Sequence, residues 1–183
     1  AARIRGFGHR PPRKLLWWYY RFQAGFRHPH YGARLFGPGI NCLPCYEEDD
    51  ERELVPSDWL NSGCVIFRAS VFRHYRFPDF DGYSFMEDVY LSGQMARTHD
   101  LYFHKTAIYD HFPQSSSAKK DRYAIAAMRI RNQARVARDI LGMSGLTLHL
   151  KFFVYRFFVG LALFRQRQKG WARELFATFA TRI

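Results

Sequence analysis

The spacing of apolar positions changes along the chain, and each change predicts a different element. Residues 1–40 are basic, aromatic and rich in Gly and Pro, and only Leu15 to Phe22 is apolar enough for a helix or a buried strand. Tyr46 to Glu53 is an acidic run, which reads as a solvated loop. Cys64 to Phe67 is a short apolar run entered through Ser62-Gly63, the pattern of a buried strand. Ala69 to Tyr75 suits a short helix, and Phe77 to Tyr83 is turn-rich. Ser84 and Glu87 have the spacing of a capping box, opening a helix through Val89, Leu91, Met95 and Ala96 that fades at Thr98-His99-Asp100. Leu101 to Phe103 and Thr106 to Tyr109 then read as strands, the second running out at Asp110-His111-Phe112-Pro113.

From residue 118 the period becomes helical. Tyr123, Ala126, Ala127, Ile130, Ala134, Ala137 and Leu141 make one apolar stripe, and Gly142-Met143-Ser144-Gly145 interrupts it. Leu146 to Phe164 follows as a highly apolar helix containing His149, Lys151 and Arg156. A spanning helix needs about 20 predominantly apolar residues, and two cations within this one disfavour insertion. Aromatics flanked by Arg165, Arg167, Lys169 and Arg173 suit a helix lying in the headgroup region. The alternative is a helix packed on the protein's own core.

Composition sharpens this picture. At 48% hydrophobic and 18% aromatic, the 183 residues are too apolar for a disordered chain. The net charge of +12 is unevenly spread: residues 119–183 hold 14 Lys and Arg against 3 Asp and Glu, whereas residues 1–118 hold 14 against 13. The basic last third is therefore the part suited to an anionic partner, whether lipid, nucleic acid or a nucleotide diphosphate. Three cysteines, Cys42, Cys45 and Cys64, do not make a disulfide framework. Cys42 and Cys45 form a C-x-x-C that could join His28 and His30 at zinc, but the Gly-Pro-rich and acidic flanks read as irregular loop.

Candidate chemistry concentrates between residues 58 and 122. A helix start holds a carboxylate rigidly at the rim of a sheet, which makes Asp88 a candidate general base, although acidic residues are common there for dipole reasons alone. His111 at a strand end suits a metal ligand or proton shuttle. The polar segment Gln114 to Lys120 carries two lysines that could close over a phosphate group. Asp79-Phe80-Asp81 has D-x-D spacing, but its place before a Gly turn points to turn chemistry.

The ordered run Asp58-Trp59-Leu60, Ser62-Gly63-Cys64, Arg68, Val71-Phe72, Phe80-Asp81-Gly82-Tyr83, Glu87-Asp88-Val89, Leu91-Ser92 and Ala107-Ile108-Tyr109-Asp110-His111 resembles the C-terminal half of a family 2 glycosyltransferase of GT-A fold. The likeness spans about residues 54–140, including Arg131-Asn132. It implies an α/β fold: a partial GT-A, Rossmann-like sheet lacking its N-terminal nucleotide-binding half, followed by C-terminal amphipathic helices. The expected organisation is a loop-rich connecting segment over 1–53, the acceptor-side half of the catalytic domain over 54–117 and a helical, membrane-surface region over 118–183.

The same resemblance implies inverting transfer of a hexosyl or deoxyhexosyl unit from a nucleotide-sugar donor to a glycan or lipid-linked acceptor in cell-envelope polysaccharide or glycolipid synthesis. Asp88 matches the base, Glu87 positions the acceptor, and Ser62, Gly63 and Arg68 fall in a substrate-approach segment. His111 matches a residue that reaches the metal or the diphosphate, and Lys119, Lys120 and Arg122 are candidates for the leaving group. Mg or Mn would be held by a D-x-D in the missing N-terminal half, which has no counterpart before residue 54, so the sequence is expected to be a fragment that is inactive alone. The implied location is peripheral, on the cytoplasmic face of a bacterial inner membrane. A non-catalytic membrane-surface adaptor is the alternative; a nucleic-acid-binding module would explain the basic third but not the apolar helix from Leu146, and no nucleic acid is expected as partner.

Overall fold

A computed structural model of the chain describes residues 2–4, 18, 22–23, 35, 37, 53–80, 85–104, 106–107, 109–111, 121–166 and 170–183. The chain divides into two compact units. One draws on Ala1–Phe36, Ile40–Pro78 and Asp88–Gln114, the other on Gly37–Gly39, Asp79–Glu87 and Ser115–Ile183.

The first unit is mixed α/β. Strand β1 (Ala2–Ile4) pairs antiparallel with β4 (Tyr109–His111), and β2 (Leu54–Ser57) pairs antiparallel with β3 (Leu101–His104), Val55 opposite Phe103 and Ser57 opposite Leu101. Along β2 exposure alternates, with Val55 and Ser57 turned inward, and Pro56 is tolerated because a two-stranded ladder leaves one edge free of partners. Among the described residues the unit also holds a 3-10 helix (Ala69–Arg73) and, from Asp88 onward, helix α1 (Glu87–Met95). Its core gathers Val71, Leu91, Met95 and Leu101, with Leu60, Phe67 and Tyr75 packed against them. Val89 and Leu91 are fully buried, and Trp59 is nearly so.

Several expectations need correction. Cys64–Phe67 joins no ladder, with Cys64 in a bend, and Ile66 is 97% exposed. The pairing partner β3 is taken by Leu54–Ser57, and among the described residues the apolar run is represented in the core cluster by the Phe67 side chain. The helix at 69–75 is the 3-10 turn, and the strand expected over 106–109 lies later, at Tyr109–His111. Both ladders are antiparallel and two-stranded; among the described residues there is no parallel pairing of the Rossmann kind. Ser84, Pro113, the acidic run before Glu53, the C-x-x-C and its histidines lie outside the described residues.

The second unit is helical: α2 (Arg122–Asp139), α3 (Gly145–Gln166) and α4 (Trp171–Ala180). Asp121 caps α2, its carboxylate accepting from the Tyr123 and Ala124 N–H groups at 2.9 and 3.1 Å, which satisfies donors that have no partner inside a helix. At the far end Gly142 takes φ +63°, a left-handed turn natural to glycine, and its N–H and that of Met143 close on the carbonyls of Arg138 and Ala137. Small residues set the α2–α4 contact, where Ala126, Ala127 and Ala177 cluster. Helix α4 also lies close to α3: a Cβ added to Gly160 would sit 3.1 Å from Leu175 Cδ1 and 3.2 Å from Phe179 Cε2.

Helix α3 has two apolar faces. Leu148, Phe152 and Tyr155 are buried, while Leu146, Leu150, Phe153, Phe157, Leu161 and Phe164 form an exposed stripe at intervals of three and four residues. Arg156 does not face that stripe's solvent side alone: its guanidinium donates to the carbonyls of Phe179 and Thr181, placing a cation on the C-terminal end of α4, where the dipole favours it. Burial pushes the Tyr155 phenol above its ordinary 10.0, partly offset by the Arg129 guanidinium, and pushes the Lys151 ammonium down.

Gly160→Val should therefore destabilise the helical unit by about 1–3 kcal/mol through overpacking, read as a lower urea midpoint at unchanged slope. Tyr155 has a raised pKa in the folded state, so its contribution is complete below pH 10.0 and is lost as pH rises through the higher folded value. Tyr155→Phe should accordingly show a shallower fall in stability above that pH than the parent protein, in thermal melts at stepped alkaline pH.

Candidate functional site

Ser92 organises the neighbourhood of Asp88. It sits on the inner face of α1 at 1% exposure, where a hydroxyl must find partners or cost stability. Its Oγ accepts from the Leu60 N–H at 3.0 Å and lies 2.6 Å from the Asp88 carbonyl and 3.2 Å from the Leu60 carbonyl, either of which can take its proton. One side chain thus ties the Trp59-Leu60 segment to the first turn of α1 across 32 positions of sequence.

The turn that follows is shaped locally. Asn61 Oδ1 accepts from the Gly63 N–H at 2.8 Å, an Asx turn that turns the Ser62 N–H toward α1. Asp88 Oδ2 receives that N–H at 3.4 Å, and its Oδ1 accepts from the Val89 N–H at 2.8 Å. The carboxylate is half-buried, set at the positive end of the α1 dipole, and retains lone pairs beyond these two bonds. Upstream, Asp58 Oδ2 accepts from the Leu35 N–H at 2.9 Å, and the Ser57 hydroxyl bonds to the Trp59 carbonyl, so the strand end leading into the turn is held on both sides. Met86, just before α1, is buried yet has φ +77°, a left-handed conformation uncommon for a residue with a side chain, and α1 starts directly after it.

Of the residues expected to act together, Ser62, Gly63 and Asp88 are brought together here. Glu87 opens α1, half-buried. Arg68 is exposed and precedes the 3-10 helix, to which it contributes its carbonyl as acceptor for the Val71 N–H. His111 ends β4 with its backbone opposite Ala2, and the placement of its ring is outside what the structure describes, as are Lys119 and Lys120 altogether. Arg122 reaches Glu174 at 3.8 Å and lies along Gly170, which places it at the start of α4. Asn61 and Ser92 shape this neighbourhood, and the sequence reading assigned neither of them a role, naming Ser92 only as part of the ordered run. A serine between Leu91 and Gly93 on an apolar helix face was the available signal for the second.

The described donor set does not make a metal cage: among the described residues no three of His, Cys, Asp and Glu converge. Mg takes six oxygen ligands in octahedral geometry, commonly one or two carboxylates together with waters and substrate phosphates, and the D-x-D that the resemblance implies for it has no counterpart before residue 54. Compared with protein-family models, with curated proteins and with solved structures, the chain matches none.

Ser92→Ala removes the acceptor of a buried N–H and should cost about 1–3 kcal/mol. Hydrogen exchange is the check: the Leu60 amide should lose protection while amides in α2 and α4 keep theirs.

Proposed function

We propose that this chain carries the acceptor-side chemistry of an inverting sugar transferase, with Asp88 as general base. The observation that supports the reading is the Asp88 carboxylate, which accepts from the Ser62 and Val89 N–H groups beside an exposed glycine turn. In this reaction Asp88 takes the proton of the acceptor hydroxyl as that oxygen attacks the anomeric carbon. The anomeric C–O bond to the nucleotide diphosphate breaks, its electron pair leaves on the diphosphate oxygen, and the configuration inverts. Ser62 and Gly63 offer an open backbone edge for the acceptor, while Glu87 and Arg68 are second-rank candidates for contacts to it.

The exposed stripe on α3 favours a seat on an anionic membrane surface, where a lipid-linked acceptor would be met in two dimensions. By length and composition Gly145–Arg165 could cross a membrane, and only 17% of its most apolar window is buried within the protein. Lys151 and Arg156 within it, and Arg165 and Arg173 nearby, suit a surface orientation better than a spanning one. The same stripe would serve a non-catalytic membrane adaptor, the second reading.

Asp88→Asn keeps an oxygen able to accept the same N–H bonds but removes the base. With the complete gene product, a panel of nucleotide sugars, Mg and membrane extract as acceptor, transfer should fall by about 10²–10⁴-fold while the melting temperature stays near the parent's. Full turnover by the variant would remove Asp88 from this role, and absence of transfer in the parent with retained vesicle binding would favour the adaptor. For the membrane seat, the double replacement Phe153→Asp and Phe157→Asp removes about 3–6 kcal/mol of apolar burial, enough to abolish sedimentation with phosphatidylglycerol vesicles.

A further inference from the structure

A second constellation lies wholly within the helical unit and takes no part in the chemistry above. Arg131, Arg135 and Arg138 stand on α2 at i, i+4 and i+7, hence on one face, and Arg182 joins them from the segment after α4. Together with Phe80 and Asn132 they line a cleft of about 270 Å³. That is far more than the about 30 Å³ of a water molecule and is room for a phosphate-sized group.

The walls of the cleft are held in place. Asn132 is buried and donates to the Phe85 carbonyl at 2.9 Å, and Arg135 lies over the Phe80 ring at 5.3 Å while reaching the Asp79 carbonyl at 3.5 Å. The guanidiniums are poorly neutralised. Arg135 meets Asp139 only at 3.9 Å in a solvent-exposed pair, and among the described residues no carboxylate comes within ion-pair distance of Arg131, Arg138 or Arg182. Bringing cations together around a concave surface raises their mutual repulsion, and an anion in the middle relieves it. Guanidinium forks match phosphate oxygens in pairs.

We infer that the cleft lined by Arg131, Arg135, Arg138 and Arg182 is a binding site for a phosphate-bearing anion, either the headgroup of a phospholipid or a soluble phosphate ester. Asp88 is not among the residues that line it.

Titration calorimetry of the intact protein with inorganic pyrophosphate tests it. Saturable binding at one site is expected, weakened at least tenfold in R131Q/R138Q and unchanged in R165Q/R173Q, which removes the same charge elsewhere on the helical unit. Equal weakening by both pairs, or binding that does not saturate, would overturn the site in favour of a diffuse basic surface. Circular dichroism establishes that the variants fold. Should R131Q/R138Q unfold, R131K replaces it: loss of affinity with charge retained supports a guanidinium-shaped site, and parental affinity overturns it. Displacement of pyrophosphate by dihexanoyl phosphatidic acid assigns the lipid source, and displacement by uridine diphosphate the soluble one. Displacement by neither overturns the assignment to phosphate esters.

Discussion

A single buried hydroxyl governs the α/β unit. Ser92 faces an apolar interior, and leaving it unbonded there would cost as much as a lost core contact. Its partners are backbone groups of Leu60 and Asp88, so satisfying it places the Leu60–Gly63 segment against the first turn of α1. The hydrophobic cluster of Val71, Leu91, Met95 and Leu101 supplies attraction without direction; the hydrogen bonds of Ser92 supply the register. The approach of the Ser62 N–H to the Asp88 carboxylate follows from that register.

The helical unit solves a different problem. Its helices are rich in aromatic residues and arginine, and few acidic residues are available to pair with the cations. Part of the charge is absorbed by packing and capping. Arg156 bonds the last carbonyls of α4, Arg129 lies over the Phe85 ring at 5.0 Å, and Arg122 meets Glu174. Close helix approach at Gly160 and at the alanine cluster buries what apolar surface it can, and the outer stripe of α3 is left uncovered by the described chain. Apolar surface of that extent on a long basic helix is what supports the proposed seat on a lipid surface.

Met86 links local strain to position. A residue other than glycine at φ +77° is sustained only when its surroundings over-determine it, and here the side chain is buried at 5% exposure. The left-handed turn lets α1 begin at Glu87, so that Asp88 falls in the first turn, where the helix dipole favours a carboxylate. The Ser84–Glu87 spacing anticipates a helix start in the right region, but Glu87 is the first helical residue, where a capping box would have it third.

The sequence by itself determined two of the long helices and the break between them. The period of Tyr123 to Leu141 gives α2, Gly142 to Gly145 gives the break, and the run from Leu146 gives α3, because helical hydrogen bonds are local and the apolar stripe that packs them is written at three- and four-residue spacing. It also placed α1 and β3 closely. Only tertiary structure decided which segment pairs with β3, because a strand's hydrogen bonds are made to another part of the chain: the apolar Cys64–Phe67 run lost that place to Leu54–Ser57. Tertiary structure likewise decided that Arg156 turns to α4 and that Ser92 binds Leu60. A polar side chain's partners depend on what the fold brings within about 3 Å of it, and no local pattern in the chain records that distance.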